Sequence, residues 1–458
     1  MTRLRLVVIV GTTGVGKSQL AVALAEKYNG EVINGDTLQI YDGLPIATNK
    51  LPIAERKSIP HHLLGCIRLE EETWAVGKYV RSATAVIEDV IARGKLPIVV
   101  GGTHYYTQSL LFEDSLIQNG PTEGLTAEAQ EKRWPILGAS PKEMLERLRL
   151  VDPEIAARWH PNDMRKIRHS LEVYFTSGKK PSDVYREQQR ARSKYLPGHD
   201  IVSENTGRGI KDAGQSASPL RFNPLILWIH ADLDKLSSRL DERVDQMVDA
   251  GLIDEVQSMF GHLQAQKRSG KSVDQSRGVW TAIGFKELLP YVSACAGAEI
   301  TVRKLEESKK QAIELTKTST RQYAKRQQRW IRGKLLRALQ ENDALENLMI
   351  LDGTELSQRL QNVQEIAGDA VHAFLKGDPL PKSTLLPTLI KDILVPKAKG
   401  HIKARYCDMC KITMMTQQEW DAHLRSKKHR KASRIPVDWQ ALYPRADHED
   451  NLPNHDDR

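Results

Sequence analysis

The eight residues 11–18, with the sequence GTTGVGKS, constrain the fold more than any other part of the chain. An apolar run from Leu6 to Val10 precedes them and predicts a buried strand, and residues 19–27 have helix-forming side chains at helical spacing. The spacing Gly-x4-Gly-Lys-Ser between a strand and a helix is typical of a phosphate-binding loop. An ordinary glycine-rich turn is the alternative, but such a turn does not require both flanking elements. The pattern therefore predicts an α/β fold with a P-loop parallel sheet at its core.

The chemistry of this loop favours a bound diphosphate or triphosphate. Its glycines allow the backbone to curl until successive N–H groups point at the anion, and the following helix N-terminus adds partial positive charge. Lys17 supplies a full positive charge, and Ser18 supplies a hydroxyl ligand for Mg²⁺. The residues predicted to bind the phosphates are Gly11, Thr12, Thr13, Gly14, Val15, Gly16, Lys17 and Ser18. The loop alone does not indicate which reaction follows.

Two further strand ends are predicted to lie beside the loop. Residues 31–33 form a second strand that ends shortly before Asp36, and residues 96–100 form a third that ends at Gly101 and Gly102. A helix predicted over residues 78–93 leads into the third strand. Ligands of open parallel α/β sheets bind beyond the carboxyl ends of the strands. Asp36 is therefore a candidate functional carboxylate.

The strand pattern then gives way to helical patterns, which predict an insertion between two parts of the core. The later part of this insertion is rich in Gly, Ser, Asp and Asn, so a flexible loop is expected there. Helices are predicted over residues 141–150, 152–159 and 163–177, the flexible loop over 191–219, and the next core strand over 225–229. The domains are accordingly predicted as core residues 1–112, helical insertion 113–222 and core residues 223–375.

Two segments of the later core carry basic side chains. Residues 236–259 have helical spacing and place Arg239 and Arg243 one turn apart on one face. Residues 317–334 contain seven Lys or Arg and no acidic residue, interleaved with Tyr323 and Trp330. A solvated helix usually mixes charges of both signs, so this run predicts contact with phosphates. A basic helix that serves only solubility is the alternative.

Charge and cysteine content narrow the partners and the compartment. The 458 residues carry a formal net charge of +9, which favours a polyanionic partner such as nucleic acid. Four cysteines do not make a disulfide framework here, so a reducing compartment is expected. No apolar stretch reaches 18 residues, and the loop begins at Gly11, so neither a membrane span nor a signal peptide is predicted. We expect a cytoplasmic monomer, with a nuclear or mitochondrial location also open.

The C-terminal part is predicted to form a small zinc module. Residues 376–400 are rich in proline and indicate a linker, and residues 436–458 are polar and indicate a disordered tail. Between them, residues 401–435 contain two cysteines and two histidines with the spacing of a Cys2His2 ββα finger. The predicted ligands of a structural Zn²⁺ are Cys407, Cys410, His423 and His429, and the predicted apolar core is Met414 and Trp420.

Six motifs that follow the loop in order resemble the tRNA dimethylallyltransferase family, whose members are also called tRNA isopentenyltransferases. They are NGDTLQIY at 34–41, HHLL at 61–64, GGTHYY at 101–106, HPND at 160–163, AIGFKE at 282–287 and TRQYAKRQ at 320–327. The resemblance covers about residues 5–335, and the added finger is similar to the eukaryotic branch. It implies transfer of a dimethylallyl group from dimethylallyl diphosphate to N6 of the adenosine on the 3′ side of the tRNA anticodon.

The resemblance also implies roles for individual residues. Asp36 matches the catalytic aspartate, which would orient the adenine amine and take its proton. Thr13 matches a threonine near the reacting atoms, and Arg243, with Arg239, matches an arginine helix that contacts the diphosphate. In this family the loop holds the prenyl diphosphate, so Mg²⁺ at Ser18 would assist its departure rather than serve ATP hydrolysis.

A further set of residues is implied to contact the tRNA anticodon stem-loop, whose target base must be flipped out to reach the enzyme. Lys166 departs from the family pattern, because an arginine is expected there and lysine lacks the guanidinium fork. For Thr103 and Leu38, a purely structural role at the sheet edge is the alternative. The implied tRNA-binding residues are Asp36, Thr37, Leu38, Gln39, Thr103, Arg165, Lys166, Arg168, Lys286, Arg321, Lys325 and Arg326.

Other functions stay open on the sequence alone. The loop by itself also fits a small-molecule kinase or another nucleotide hydrolase, and the basic surface also fits an RNA-binding protein without catalysis. The finger is predicted to add affinity for tRNA, since its five-residue histidine spacing resembles fingers that bind structured RNA. A protein-binding or purely structural finger is the alternative. The basic residues in question are Arg425, Lys427, Lys428, Arg430 and Lys431.

Overall fold

The computed structural model describes residues 3–71, 74–113, 127–193, 220–270, 273–275, 277–295, 301–381, 402–410, 412–426 and 429–430. The chain divides into two compact units. The first consists of Met1–Gln118 and Glu187–Pro396, and the second of Asn119–Arg186 and Lys397–Arg458. The second unit therefore combines most of the predicted helical insertion with the predicted finger.

The first unit contains a six-stranded parallel sheet with the spatial order β3-β2-β4-β1-β5-β6. Its strands are β1 (Arg5–Gly11), β2 (Gly30–Asn34), β3 (His61–His62), β4 (Leu96–Val100), β5 (Asn223–His230) and β6 (Leu348–Asp352). β1 pairs with β5 along its whole length, from Arg5 opposite Asn223 to Gly11 opposite Ile229. The loop after β1 therefore leaves the carboxyl edge of the sheet at its middle, between β4 and β5.

Helices bury both faces of this sheet. Leu6, Val8 and Val10 belong to one apolar cluster, and Val7 and Ile9 belong to another. Alternate side chains of a strand point to opposite faces, which explains why β1 is apolar at every position from Leu6 to Val10. The helices are α1 (Lys17–Lys27), α2 (Val76–Ala92), α3 (His104–Leu111), α4 (Ala127–Arg133), α5 (Pro141–Val151), α6 (Pro153–Arg158), α7 (Met164–Ser177), α8 (Pro181–Ser193), α9 (Leu233–Asp249), α10 (Leu252–Arg268), α11 (Phe285–Cys295), α12 (Val302–Trp330), α13 (Leu336–Glu341), α14 (Ile366–Lys376) and α15 (Gln417–Leu424).

The predicted strands are confirmed as β1, β2, β4 and β5, whereas β3 and β6 were not predicted. β3 has two residues, and β6 contains a run of four apolar residues that periodicity does not distinguish from a buried helical segment. The single helix predicted over 236–259 is wrong. The chain breaks it into α9 and α10 at Gly251, whose φ of 100° lies in the left-handed region that glycine favours.

The second unit has its own apolar core. Met144 and Leu148 of α5, Ile155 of α6 and Ile167 of α7 pack in one cluster. Asp152 is buried, accepts the N–H of Ile155 at the start of α6 (3.1 Å) and also accepts the N–H of Ser182 (2.7 Å). The three predicted helices are confirmed as α5, α6 and α7. In the predicted flexible loop, residues 191–193 instead belong to α8, and residues 194–219 lie outside the described residues.

The finger segment forms the predicted ββα unit. β7 (Ile402–Cys407) and β8 (Ile412–Thr416) are antiparallel, and α15 follows with Thr416 and Glu419 as a capping box. Within the second unit, Nε2 of His160 donates to the carbonyl oxygen of Thr413 (3.0 Å). The predicted tail 436–458 and linker residues 382–400 lie outside the described residues. Across the described parts of the chain, no helix is both long and apolar enough to cross a membrane.

Candidate active site

The phosphate loop turns at glycines whose positions are strained for other residues. Gly11 has φ 151°, and a Cβ there would lie 2.6 Å from the carbonyl oxygen of Ile229 on β5. Gly16 has φ 85° and is the N-cap of α1. Lys17 begins α1, and its Nζ donates across the loop to the carbonyl oxygen of Thr12 (2.7 Å). This arrangement is the one expected of an anion-binding loop at a helix N-terminus.

Lys17 is electrostatically prepared for an anion. Burial lowers the pKa of its ammonium group to about 8, Asp36 favours the charged form, and Arg243 opposes it. An opposite charge placed beside a desolvated ammonium group favours its charged form and raises its pKa again. A phosphate in the loop would therefore restore the charged form of Lys17.

Asp36 is held by a side-chain turn that follows β2. Oδ1 of Asn34 accepts the N–H of Asp36 (3.0 Å), and Nδ2 of Asn34 donates to the carbonyl oxygens of Asp36 (3.0 Å) and Leu63 (2.9 Å). Oδ1 of Asp36 accepts the N–H of Leu38 (3.0 Å). Burial raises the pKa of the Asp36 carboxyl, and the N–H of Leu38 and the charge of Lys17 oppose this shift only in part. A half-buried, fixed carboxylate of this kind is suited to accepting a proton.

Residues at the ends of β2 and β4 meet at this edge. The N–H of Thr37 donates to Oγ1 of Thr103 (3.1 Å), and the two hydroxyl oxygens are 3.2 Å apart. Nε2 of Gln39 donates to the carbonyl oxygens of Thr48 (3.0 Å) and Asn49 (3.1 Å). The threonine pair thus joins two strand ends, and the Gln39 amide holds a neighbouring loop.

Gln327 of α12 connects the phosphate loop to the turn after β4. Its Oε1 accepts the N–H of Thr13 (2.7 Å), and its Nε2 donates to the carbonyl oxygen of Gly102 (2.9 Å). Gln327 ends the motif TRQYAKRQ at 320–327 but was not among the predicted site residues. The sequence did contain a signal, because Thr316, Thr320 and Gln327 are polar residues spaced to share one face of α12. The structure buries all three.

Two arginines contact the loop, and a third, Arg239, contacts a different segment from the one predicted. Nη1 of Arg243 donates to Oγ1 of Thr13 (2.9 Å), and burial lowers the pKa of this guanidinium to about 10. Arg239 donates instead to the carbonyl oxygens of residue 353 (3.1 Å) and residue 354 (2.6 Å), beyond β6. Nη2 of Arg359 donates to the carbonyl oxygen of Gly16 (2.9 Å). Arg359 was not predicted.

These residues surround one cavity of about 1220 Å³ in the first unit. Gly11, Thr12 and Val15 are buried, so they shape the loop from within. Arg359, Tyr323 and Gln327 also line the cavity. Of the predicted site residues, the cavity is lined by Thr13, Gly14, Gly16, Lys17, Ser18, Asp36, Thr37, Leu38, Gln39, Arg243 and Arg326.

The basic run of α12 is partly neutralised inside the protein. Arg321 forms an ion pair with Asp241, and Lys317 forms one with Asp245 (2.8 Å), both acids belonging to α9. These partners are distant in sequence, which is why the run had no visible counter-charge. Lys325 and Arg326 are exposed, as is Lys286 at the start of α11. The part of the run that remains free to meet phosphates is therefore its later half.

The predicted tRNA-binding residues of α7 fall into two groups. Arg165 and Lys166 are exposed, and Nζ of Lys166 pairs with Asp163 (2.7 Å). Arg168 is buried, and its guanidinium contacts Glu131 (2.6 Å) and Glu172 (2.9 Å). This geometry fits packing of the helical unit rather than contact with tRNA.

The four predicted zinc ligands come together. Their ligand atoms all lie within 4.8 Å of one another, and Nδ1 of His429 is 3.5 Å from Sγ of Cys407 and 3.6 Å from Sγ of Cys410. Two thiolates and two imidazoles in such a group suit tetrahedral Zn²⁺. Met414 is buried and Trp420 half-buried, as predicted for the apolar core. Lys427, Lys428 and Lys431 lie outside the described residues.

Two protein-family models match the chain. One is described as IPP transferase and matches residues 39–334. The other is described as a zinc finger of C2H2 type and matches residues 405–429. The first match begins after the phosphate loop and Asp36 and covers part of the first unit together with the helical insertion, and the second covers the Cys2His2 group.

Curated relatives and a solved structure agree with these matches. The tRNA dimethylallyltransferase of Schizosaccharomyces pombe is 35% identical, covering 93% of this chain and 94% of that protein. The human tRNA dimethylallyltransferase is 34% identical, covering 93% of this chain and 85% of that protein. A crystal structure described as a eukaryotic dimethylallyltransferase acting on tRNA has a TM-score of 0.72 and 33% identity, covering 94% of this chain and 96% of that one.

Proposed function

The chain belongs to the IPP transferase family, and on that premise we propose that it transfers a dimethylallyl group from dimethylallyl diphosphate to N6 of the adenosine on the 3′ side of the tRNA anticodon. The product would be N6-isopentenyladenosine. Because the chain belongs to this family, we prefer this function to the two alternatives, a small-molecule kinase and a non-catalytic RNA-binding protein.

One observation supports separate binding positions for the prenyl donor and the adenine. The phosphate loop and the Asp36 carboxylate line the same cavity, so a group held by the loop and a base beside Asp36 share one space. Lys17 and Arg243 stand on the loop side, and Thr37 and Leu38 stand beside Asp36. We infer that the donor diphosphate binds at the first group and that the flipped adenine binds at the second.

The transfer itself exchanges one bond for another. The lone pair of the adenine N6 forms a bond to C1 of the dimethylallyl group, the bond from C1 to the diphosphate oxygen breaks, and diphosphate leaves with that electron pair. Asp36 takes the proton from N6. The adenine amine is a weak nucleophile because its lone pair is delocalised into the ring, so a positioned base assists the reaction.

The leaving diphosphate acquires negative charge in the transition state. Main-chain N–H groups of the loop, the Lys17 ammonium and the Arg243 guanidinium are positioned to stabilise it. The Ser18 hydroxyl lines the same cavity, and a hydroxyl oxygen at this position of a phosphate loop fits Mg²⁺. When bound, Mg²⁺ would neutralise charge on the diphosphate.

We further propose which residues meet the tRNA. Thr37, Leu38, Gln39 and Thr103 surround the base site, and Arg165, Lys166, Lys286, Lys325 and Arg326 are exposed cations suited to phosphates. Arg168 is removed from this group because it is buried. Arg321 contributes less than an unpaired cation would, because Asp241 already pairs with it.

The test is incubation of the full chain with labelled dimethylallyl diphosphate, Mg²⁺ and an anticodon stem-loop. We expect label to enter the RNA only when the target adenosine is present. A stem-loop with guanosine at that position is the matched control for the acceptor. Asp36→Asn, which keeps the side-chain size, is the control for the base and should lower turnover by roughly two decades. Nucleotide hydrolysis without RNA, and no transfer of label, would contradict the proposal.

A further inference from the structure

Arg359 lies in the segment between β6 and α14, beyond the residues 39–334 that the family model matches. Its Nη2 donates to the carbonyl oxygen of Gly16 (2.9 Å), and its side chain lines the same cavity as Lys17 and Arg243. A third cation therefore reaches the phosphate loop, and it comes from a part of the chain outside the family model.

The side chain of Arg359 packs closely against Gly16 of the loop. A Cβ at Gly16 would lie 2.1 Å from Nη2 of Arg359 and 2.4 Å from Cζ, so the guanidinium packs directly against the loop backbone. Arg239 supports the segment that carries Arg359, because it donates to the carbonyl oxygens of Gly353 and Thr354. Arg239 thus supports the beginning of the segment whose later residue Arg359 contacts the loop.

The surroundings of this guanidinium are electropositive. α1 begins at Lys17, and a cation next to a helix N-terminus opposes the helix dipole. Nε of Arg359 is buried and has no hydrogen-bond partner in the described part of the chain. Burial and the nearby Arg239 both lower the pKa of Arg359. An anion in the loop would supply the missing acceptor and the missing negative charge.

We propose that Arg359 binds the diphosphate of the prenyl donor and, together with Lys17 and Arg243, stabilises its departure. This inference rests on the proposed function, in which the loop holds that diphosphate. A guanidinium suits the task because its planar fork can donate two parallel hydrogen bonds to phosphate oxygens. Arg359 thereby takes the place that was predicted for Arg239.

The experiment is calorimetric titration of the full chain with inorganic diphosphate in the presence of Mg²⁺. Arg359→Gln keeps a donor for the Gly16 carbonyl but removes the charge, and Arg359→Lys keeps the charge but removes the fork. Arg337→Gln is the matched control. Arg337 is exposed on α13, so this substitution removes one positive charge at a position away from the loop. Dissociation constants for tRNA and unfolding midpoints without ligand are measured on the same samples.

We expect Arg359→Gln to weaken diphosphate binding roughly ten- to hundredfold. The diphosphate affinity of Arg359→Lys should lie between those of Arg359→Gln and the wild type, and the affinity of Arg337→Gln should equal that of the wild type. Affinity for tRNA should not change. Equal diphosphate affinity in Arg359→Gln and the wild type would overturn the inference alone, as would an equal loss of diphosphate and tRNA binding. A wild-type chain that does not bind diphosphate would overturn the proposed function of the loop, and the inference with it.

Discussion

The N–H of Thr13 donates a 2.7 Å hydrogen bond to Oε1 of Gln327, a residue 314 positions later in the chain. The other end of the same amide donates to the carbonyl oxygen of Gly102. Gln327 therefore fixes the distance between the phosphate loop and the turn after β4, the two sides of the proposed reaction site. A small displacement between reacting groups can cost a large part of an enzyme's rate.

Gln327→Ala should lower kcat more than it raises KM for the prenyl donor. The variant removes both hydrogen bonds and leaves the N–H of Thr13 without its partner, which should also cost about 1–3 kcal/mol of stability. Gln322→Ala is the matched control, because Gln322 is exposed on the same helix. Steady-state kinetics and thermal unfolding measure the two effects, and a variant with unchanged kcat would show that the connection does not position the site.

The pH dependence of kcat/KM should report Asp36 and Lys17. Burial raises the pKa of Asp36, so the rate should increase with pH through a value above the ordinary 3.8 as the base loses its proton. Burial lowers the pKa of Lys17 to about 8, so kcat/KM should fall again above that pH as the ammonium loses its charge.

The alkaline fall should be weaker in kcat, because bound diphosphate keeps Lys17 protonated. Profiles of both constants between about pH 5 and pH 10 provide the comparison. An alkaline limb of equal position in kcat and kcat/KM would mean that Lys17 does not face the donor.

Substitution of Arg243 should affect donor binding, whereas substitution of Arg239 should affect stability. Arg243→Gln should raise KM for the prenyl donor roughly tenfold, because it removes a cation that contacts Thr13 in the loop. Arg239→Gln should mainly lower the unfolding midpoint, because Arg239 donates to the carbonyl oxygens that follow β6. Kinetics with both variants, beside their melting curves, test this difference. A larger rise of KM in Arg239→Gln than in Arg243→Gln would reverse the assignment.

Local patterns predicted the parts of the site that lie close together in sequence. The loop 11–18, Asp36 after β2 and the four zinc ligands each depend on spacing within a short segment, and such spacing is visible without a structure. The positions of the strand ends followed from the rule that parallel strands place their carboxyl ends at one edge. The core of the site could therefore be predicted before its geometry was known.

The parts that could not be predicted depend on where long side chains end. Arg239 and Arg243 are one turn apart on α9, yet one donates to the loop and the other to the segment after β6. Arg359 reaches the loop from a segment that no motif identified. Such destinations are set by the packing of elements hundreds of residues apart, and periodicity carries no information about them.

Arg165 and Arg168 offer a direct test of the tRNA surface on α7. Arg168→Met should lower the stability of the helical unit by about 1–3 kcal/mol, because it leaves Glu131 and Glu172 without their shared partner. Arg165→Met should leave stability unchanged and weaken tRNA binding, since Arg165 is exposed. Unfolding curves and tRNA titrations of both variants measure this contrast. Weaker tRNA binding by a stably folded Arg168→Met would restore Arg168 to the tRNA site.

Zinc removal should separate tRNA binding from chemistry. Met414 is the main buried apolar side chain among the described residues of the finger, so ligation by Cys407, Cys410, His423 and His429 must supply most of its folding free energy. A zinc-selective chelator, with Mg²⁺ in excess, should unfold the finger and weaken tRNA binding roughly tenfold, with a smaller dependence on salt.

The single-turnover rate at saturating tRNA should not change, because the cavity that holds the donor belongs to the first unit. Added zinc should restore the affinity, and deletion of residues 400–458 should reproduce the chelated state without the possibility of restoration. If affinity and salt dependence stay the same after chelation and after deletion, the finger does not bind tRNA. A role in binding another protein would then be the better account of its exposed basic residues Arg425 and Arg430.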